Sequence, residues 1–163
     1  MTTLHEQIET PLSIDEAFAY VADFANSETW DPGVDTSERL DPGPVAVGSR
    51  YRLGVHLAGR VAPMEYRITI LEAPDRVVLE GRGSGVTAID DIRFERVGTG
   101  TRIDYTADIK LGGLLRFIQP FLGRAFAGLA RRAVDGMQRT LDARAAAGAE
   151  TTVASPTTGA DRS

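Results

Sequence analysis

Cysteine is absent from this 163-residue chain, tryptophan occurs once, histidine twice and lysine once, as Lys110. Without cysteine there are no disulfides, thiolate metal sites or cysteine nucleophiles, and the composition suits a reducing cytoplasm, the expected location. His5 and His56 both fall on the outward faces of alternating segments with no ligand set beside them, so no metal is expected. Nor do they complete a Ser-His-acid arrangement, because Ser84 stands in Gly-Arg-Gly-Ser-Gly without the spacing of a nucleophile elbow. The same run, Gly81, Gly83 and Gly85, precedes no helix N-terminus and no lysine. It reads as a flexible hairpin or bulge, not as a phosphate or dinucleotide loop, and no cofactor is expected.

Basic clusters are lacking too. With a net charge of −5 the chain is not expected to bind nucleic acid, since counterion release needs clustered Lys and Arg. Long apolar runs are missing: the most apolar stretch, Leu111 to Ala130, is interrupted by Arg116, Gln119, Pro120 and Arg124, so stable membrane insertion is not expected. Met1 to Thr10 is alternating and acidic, unlike a signal peptide.

What the chain has is two-residue alternation. Thr2 to Thr10 reads as a strand with Leu4 and Ile8 on one side, and Pro11 ends it. Ser13-Ile-Asp-Glu16 is a capping box, followed by a helical face of Ala17, Phe18, Val21 and Ala22. A short irregular piece stops at the turn Trp30-Asp-Pro-Gly33. Val34 to Leu40 is an edge-like strand. Alternating sets then recur: Tyr51, Leu53, Val55 and Leu57; Met64, Tyr66, Ile68 and Ile70; a strand from Val77 to Gly81; Val86, Ala88, Asp90, Ile92 and Phe94; Ile103, Tyr105, Ala107, Ile109 and Leu111. Short turns between them predict an antiparallel meander with one wet face. After Gly112-Gly113 the period becomes helical, from Leu114 through Phe126 to Leu141, with a short helix, a break near Gln119 and a long helix carrying Pro120 in its first turn. One domain over 1–148 is expected, with a disordered tail over 149–163.

The fold class is therefore α+β: a curved antiparallel sheet of about seven strands around a long C-terminal helix, with one or two short helices after the first strand. A helix laid across a strongly twisted sheet cannot touch all of it, which leaves a gap bordered by the inward sets.

These residues carry a resemblance. Pro11-Leu-Ser-Ile-Asp-Glu-Ala-Phe18, Asp23-Phe24, Trp30-Asp-Pro-Gly33, Gly48 before the Tyr51 strand, Tyr66 to Arg76, and Gly112-Gly-Leu-Leu with Pro120 look like the polyketide cyclase/dehydrase and lipid-transport family. That family belongs to the START and birch-pollen-allergen superfamily with the helix-grip fold. The resemblance spans residues 2 to 146. It implies binding of a small hydrophobic molecule, of lipid, isoprenoid or polyketide type, in an internal apolar cavity. It implies as an alternative a polyketide cyclase, aromatase or dehydratase. A third reading is a protein-interaction or stress-linked module without a ligand.

Trp30, Tyr51, Tyr66, Asp90 and Tyr105 are the expected ligand contacts, with Leu53, Met64, Ile68, Phe94, Phe117 and Phe121 as apolar lining. An inward phenol combines apolar bulk with one hydroxyl that wants a partner. Its rival reading is a core tyrosine with its tip at the rim. Asp90 interrupts an apolar set, so it must pair with Arg52, Arg67 or Arg82, be turned outward by a bulge, or hold a raised pKa that makes it the candidate catalytic acid or base. Glu6, between Leu4 and Ile8, poses the same question. Trp30 either plugs the cavity beside a gating loop or simply packs. The absence of an inward histidine, and of a second acid near Asp90 in sequence, leans the reading away from an enzyme. The Leu114 to Phe126 segment is apolar over more than one stripe, as a lid helix, a doubly buried helix or a homodimer contact would be.

Overall fold

The computed structural model describes residues 1–153 apart from 58, 84 and 118, and for 114, 115, 119–126 and 151–153 the backbone alone. Strand β1 (Thr2–Thr10) leads to helix α1 (Ile14–Ala22), a 3-10 turn (Phe24–Asn26) and α2 (Ser27–Trp30). Strands β2 (Val34–Arg39), β3 (Arg50–Leu57), β4 (Arg60–Glu72), β5 (Arg76–Gly83), β6 (Val86–Val97) and β7 (Gly100–Leu111) follow. A 3-10 turn (Gly113–Phe117) and helix α3 (Gln119–Val153) complete the order. The strands form one antiparallel seven-stranded sheet in the order β1-β7-β6-β5-β4-β3-β2. The meander from β2 to β7 is extended by β1 pairing with β7, and the curved sheet wraps α3.

Local chemistry explains the ends of these elements. The Ser13 hydroxyl accepts from the Glu16 N–H at 3.4 Å and lies 2.6 Å from the Glu16 carboxylate, so the two side chains cap α1 by binding each other. Asp23 caps the next turn through the Ala25 N–H at 3.2 Å. Because β1 and β2 are the two edges, α1, the turn and α2 must carry the chain from one edge to the other, and they pack over part of the inward face as they go. Phe18, Val21, Phe24 and Trp30 are buried there.

Helix α3 is fastened through its middle. Val134, Met137 and Leu141 are buried, Thr140 donates to the Thr29 carbonyl at 3.2 Å, and Gln138 donates to the Glu9 carbonyl. Gly136 lets the helix approach α2 so closely that a Cβ at this position would stand 2.0 Å from the Trp30 carbonyl oxygen. The helix continues to Val153, beyond the expected end near 148. Ala145 to Ala147 and Ala149 are strong helix formers, and no proline intervenes before 156. The rest of the expected tail, 154–163, lies outside the described residues. Gly81 and Gly83 belong to β5 and pair with β6, so the hairpin expected of the glycine run is confined to the residues after Gly83. A Cβ at Gly83 would come 2.4 Å from the Pro63 carbonyl, and only glycine admits that approach.

Candidate ligand cavity

Strands β1, β3, β4, β6 and β7 contribute their inward residues to two different environments. Towards α1 they are solid core: Ile8, Tyr51, Leu53, Ile68, Ile92, Phe94 and Ile103. Phe18 meets Phe94 edge-on at 5.2 Å, and Phe24 lies 5.5 Å from Tyr66 and 6.3 Å from Tyr51. Towards the other strand ends the inward residues border a cavity of about 140 Å³. Its walls are Leu4 on β1, Val55 and Leu57 on β3, Met64 and Tyr66 on β4, Val86, Ala88 and Asp90 on β6, and Tyr105, Ala107 and Ile109 on β7. Asp31 and Gly33 border one side, and Leu129, Ala130 and Ala133 of α3 face the sheet across it. The space stays open because the groups meeting there are small: Ala88, Ala107, Ala130, Ala133 and Gly33. Large side chains from α1 and α2 fill only the neighbouring half.

Besides His56 at the rim, four polar side chains among the described residues interrupt the apolar wall. Tyr105 donates to Asp90 Oδ1 at 2.7 Å. The register pairs Asp90 with Ala107, so Tyr105 is its diagonal neighbour on the same face. Burial pushes the Asp90 carboxyl up to about 7; the Tyr105 hydrogen bond opposes this and the charge of Asp31 adds to it. Asp31 follows α2 and accepts from the Gly33 N–H at 2.7 Å through Oδ1. Burial raises its pKa to about 6, against the pull of that hydrogen bond. Tyr66 lies over Gly81 of the next strand, where a Cβ would be 2.5 Å from its ring. Burial and then the charge of Asp90 hold both phenols well above their ordinary pKa. Two carboxylates poised near neutrality beside two neutral phenols can donate or accept protons and hydrogen bonds.

The profile of the polyketide cyclase / dehydrase and lipid transport family matches residues 1–142. The chain belongs to that family. Members of this fold recur among solved structures at low identity. TTHA0849 from Thermus thermophilus is 13% identical with a TM-score of 0.71, the match covering 87% of this chain and 98% of that one. A START superfamily protein from Mycobacterium smegmatis is 14% identical with a TM-score of 0.68, over 88% and 97%. The di-domain ARO/CYC StfQ of the steffimycin biosynthetic pathway is 10% identical with a TM-score of 0.66, over 89% of this chain and 52% of that one. No curated protein matches in sequence.

Within this polyketide cyclase / dehydrase and lipid transport domain, Met64, Tyr66, Asp90 and Tyr105 stand on the cavity wall as the sequence predicts. Six other expected contacts do not. Tyr51, Leu53, Ile68 and Phe94 face inward but lie under α1 and α2, where they are core, and the buried Tyr51 hydroxyl is held in its neutral form by burial and then by the charge of Asp23. Trp30 is 3% exposed, packed edge-on to Phe24 at 6.1 Å and to Tyr105 at 6.5 Å, behind the wall and not in it. Phe117 is 63% exposed with Arg116 over its ring at 4.8 Å, which removes it from the lining. The side chain of Phe121, like most of the segment expected to form a dimer contact, lies outside the described residues.

The choices left open for Asp90 are decided by geometry. Pairing of β6 with β5 and β7 is continuous, so no bulge reverses it. Arg52 lies 3.7 Å from Glu38 and Arg82 binds Glu80, on the opposite face, while Asp91 takes the bidentate contact from Arg76. Glu6 is half-buried opposite Tyr105 and outside the wall. His56, expected to face outward, is exposed 3.7 Å from Asp35 yet also touches the cavity rim. The acid missed by sequence reading is Asp31. In Trp30-Asp-Pro-Gly33 it looks only like a turn former, which it also is.

Proposed function

We propose that this domain binds a small hydrophobic molecule in the cavity between the sheet and α3, held by Met64, Tyr66, Asp90 and Tyr105 with the aliphatic wall around them. The observation that carries this reading is the cavity itself: about 140 Å³ of space, apolar apart from a few convergent polar groups. That is close to the ~150 Å³ that accepts a benzene-sized guest, so one ring or a short chain fits. Removing about 200 Å² of ligand surface from water contributes roughly 5 kcal/mol before ordering costs. Native mass spectrometry of the purified chain, followed by extraction, tests it. A co-purifying small molecule lost in Ala88→Leu, which fills the space, is expected. Equal binding by a folded Ala88→Leu variant removes the cavity as the site.

A second reading has its own support in the Asp90–Tyr105 pair. A carboxyl near pKa 7 inside an apolar site is suited to take a proton from carbon next to a carbonyl and return one to a departing hydroxyl, the proton balance of a dehydration. Asp31 supplies the second acid that the sequence around Asp90 lacks. Asp90→Asn, which keeps the shape and loses the base, separates the two readings: carrier activity survives it and turnover does not.

A further inference from the structure

Three acceptor groups converge on the cavity without a cation among the described residues of its wall. Asp31 and Asp90 each use Oδ1 for the internal hydrogen bonds described above, leaving Oδ2 on each. Tyr66, 8% exposed, borders the cavity, has no hydrogen-bond partner among the described residues, and is acted on by the charge of both carboxylates. The remaining titratable groups on this wall are the Tyr105 hydroxyl and exposed His56 at the rim, with half-buried Glu6 opposite Tyr105 on β1 just outside it. Among the described residues, helix α3 presents Leu129, Ala130 and Ala133 to it. Arginines 52, 76, 82 and 102 are committed to carboxylates on the outer face.

An anionic ligand would meet two like charges here, and a wholly apolar one would leave the acceptors dry and unpaired. An ammonium group has three donors for three acceptors, and the rings of Tyr66 and Tyr105 add a favourable face for a cation. We propose that the cavity is a subsite for a ring-sized apolar molecule carrying a basic nitrogen, with the ammonium held by Asp31, Asp90 and Tyr66. This inference rests on the ligand-binding reading above and names its ligand class. Such a ligand is taken up by ionised carboxylates, so its affinity rises with pH through the range where burial delays their ionisation.

Calorimetric titration of the full chain with benzylamine and with benzyl alcohol, equal in size and differing in charge, tests it. The amine stays cationic throughout. At about pH 8 it is expected to bind about tenfold tighter than the alcohol, and at about pH 5 that preference is expected to disappear. Asp31→Asn and Asp90→Asn, checked for folding by circular dichroism, are expected to erase the preference and leave alcohol binding in place. The pH comparison on the native chain stands even if a variant fails to fold. Alcohol binding as tight as amine binding at pH 8, or a preference that survives both substitutions, overturns the amine subsite and leaves the cavity reading intact. Binding of neither probe overturns both.

Discussion

Tyr105 donates its phenolic proton to Asp90 across a diagonal of β6 and β7, at 2.7 Å, on the inward face of the sheet. Asp90 is 5% exposed, so the strand pairing has placed a carboxylate where bulk water has little access, and one phenol stands in for part of that solvation. The bond favours the charged form. Burial and the charge of Asp31 favour the neutral one, and they win. The pair is consequently a weak point for stability and a useful one for chemistry.

The stability consequence has a definite sign. A carboxyl displaced from 3.8 to about 7 keeps its proton in the folded chain after the unfolded chain has lost it. Stability is then greatest at low pH and falls as pH rises from about 4 to about 7, by up to about 4 kcal/mol for this group. Asp90→Asn removes that slope. Urea unfolding is expected to find the variant the more stable protein at about pH 8, and little different from wild type near pH 4. A wild type at least as stable as the variant at pH 8 contradicts the burial argument.

Tyr105→Phe tests the other half of the pair. It keeps the ring against Trp30 and deletes the donor, so the Asp90 carboxyl should titrate at still higher pH. Carbon-13 NMR of labelled aspartate follows that midpoint directly. A hydrogen bond to a charged group contributes about 1.5–3 kcal/mol, so the loss of stability should be largest above pH 7 and smaller near pH 5, where Asp90 is neutral. An unmoved midpoint means the hydrogen bond does not act on the titration.

Much of this architecture was legible in the sequence, for a physical reason. Period-two alternation reports which face of a strand is buried, and it placed Asp90, Tyr66, Met64 and Tyr105 inward, where they are found. Alternation cannot report what lies over a given position along the strand. Tyr51 and Tyr66 sit directly opposite each other on β3 and β4, yet the first is sealed under the α1 end and the second borders the cavity. That division depends on where the chain crosses from β1 to β2, a tertiary outcome with no periodic signal. Asp31 was hidden for a different reason. Its turn-forming hydrogen bond to Gly33 is sufficient explanation for an aspartate in that motif, and its second role arises only when β4, β6 and β7 come beside it.

Gly81 has a packing role that the glycine-rich run concealed. Its missing Cβ is what allows the Tyr66 ring to lie on β5. Gly81→Ala is expected to cost about 1–3 kcal/mol and to tilt that ring into the cavity, lowering affinity for any bound probe. Chemical denaturation together with probe titration checks both effects. Unchanged affinity in a destabilised variant means the ring moves elsewhere.

Two glycines of α3 give opposite expectations for one substitution. In an exposed helix interior, Gly→Ala stabilises by about 0.8–1 kcal/mol. No atom of the described residues lies within 4 Å of the position that a Cβ would take on half-buried Gly128, so Gly128→Ala should realise most of that gain. Gly136 faces the Trp30 carbonyl at 2.0 Å, a backbone atom that cannot swing aside. There the clash exceeds the propensity gain, and α3 must lift from α2, loosening the Thr140–Thr29 contact and the cavity beside it. Thermal unfolding of the two variants should move Tm in opposite directions. A rise in both means that α3 is not held against α2 at the distance that leaves the cavity its present size.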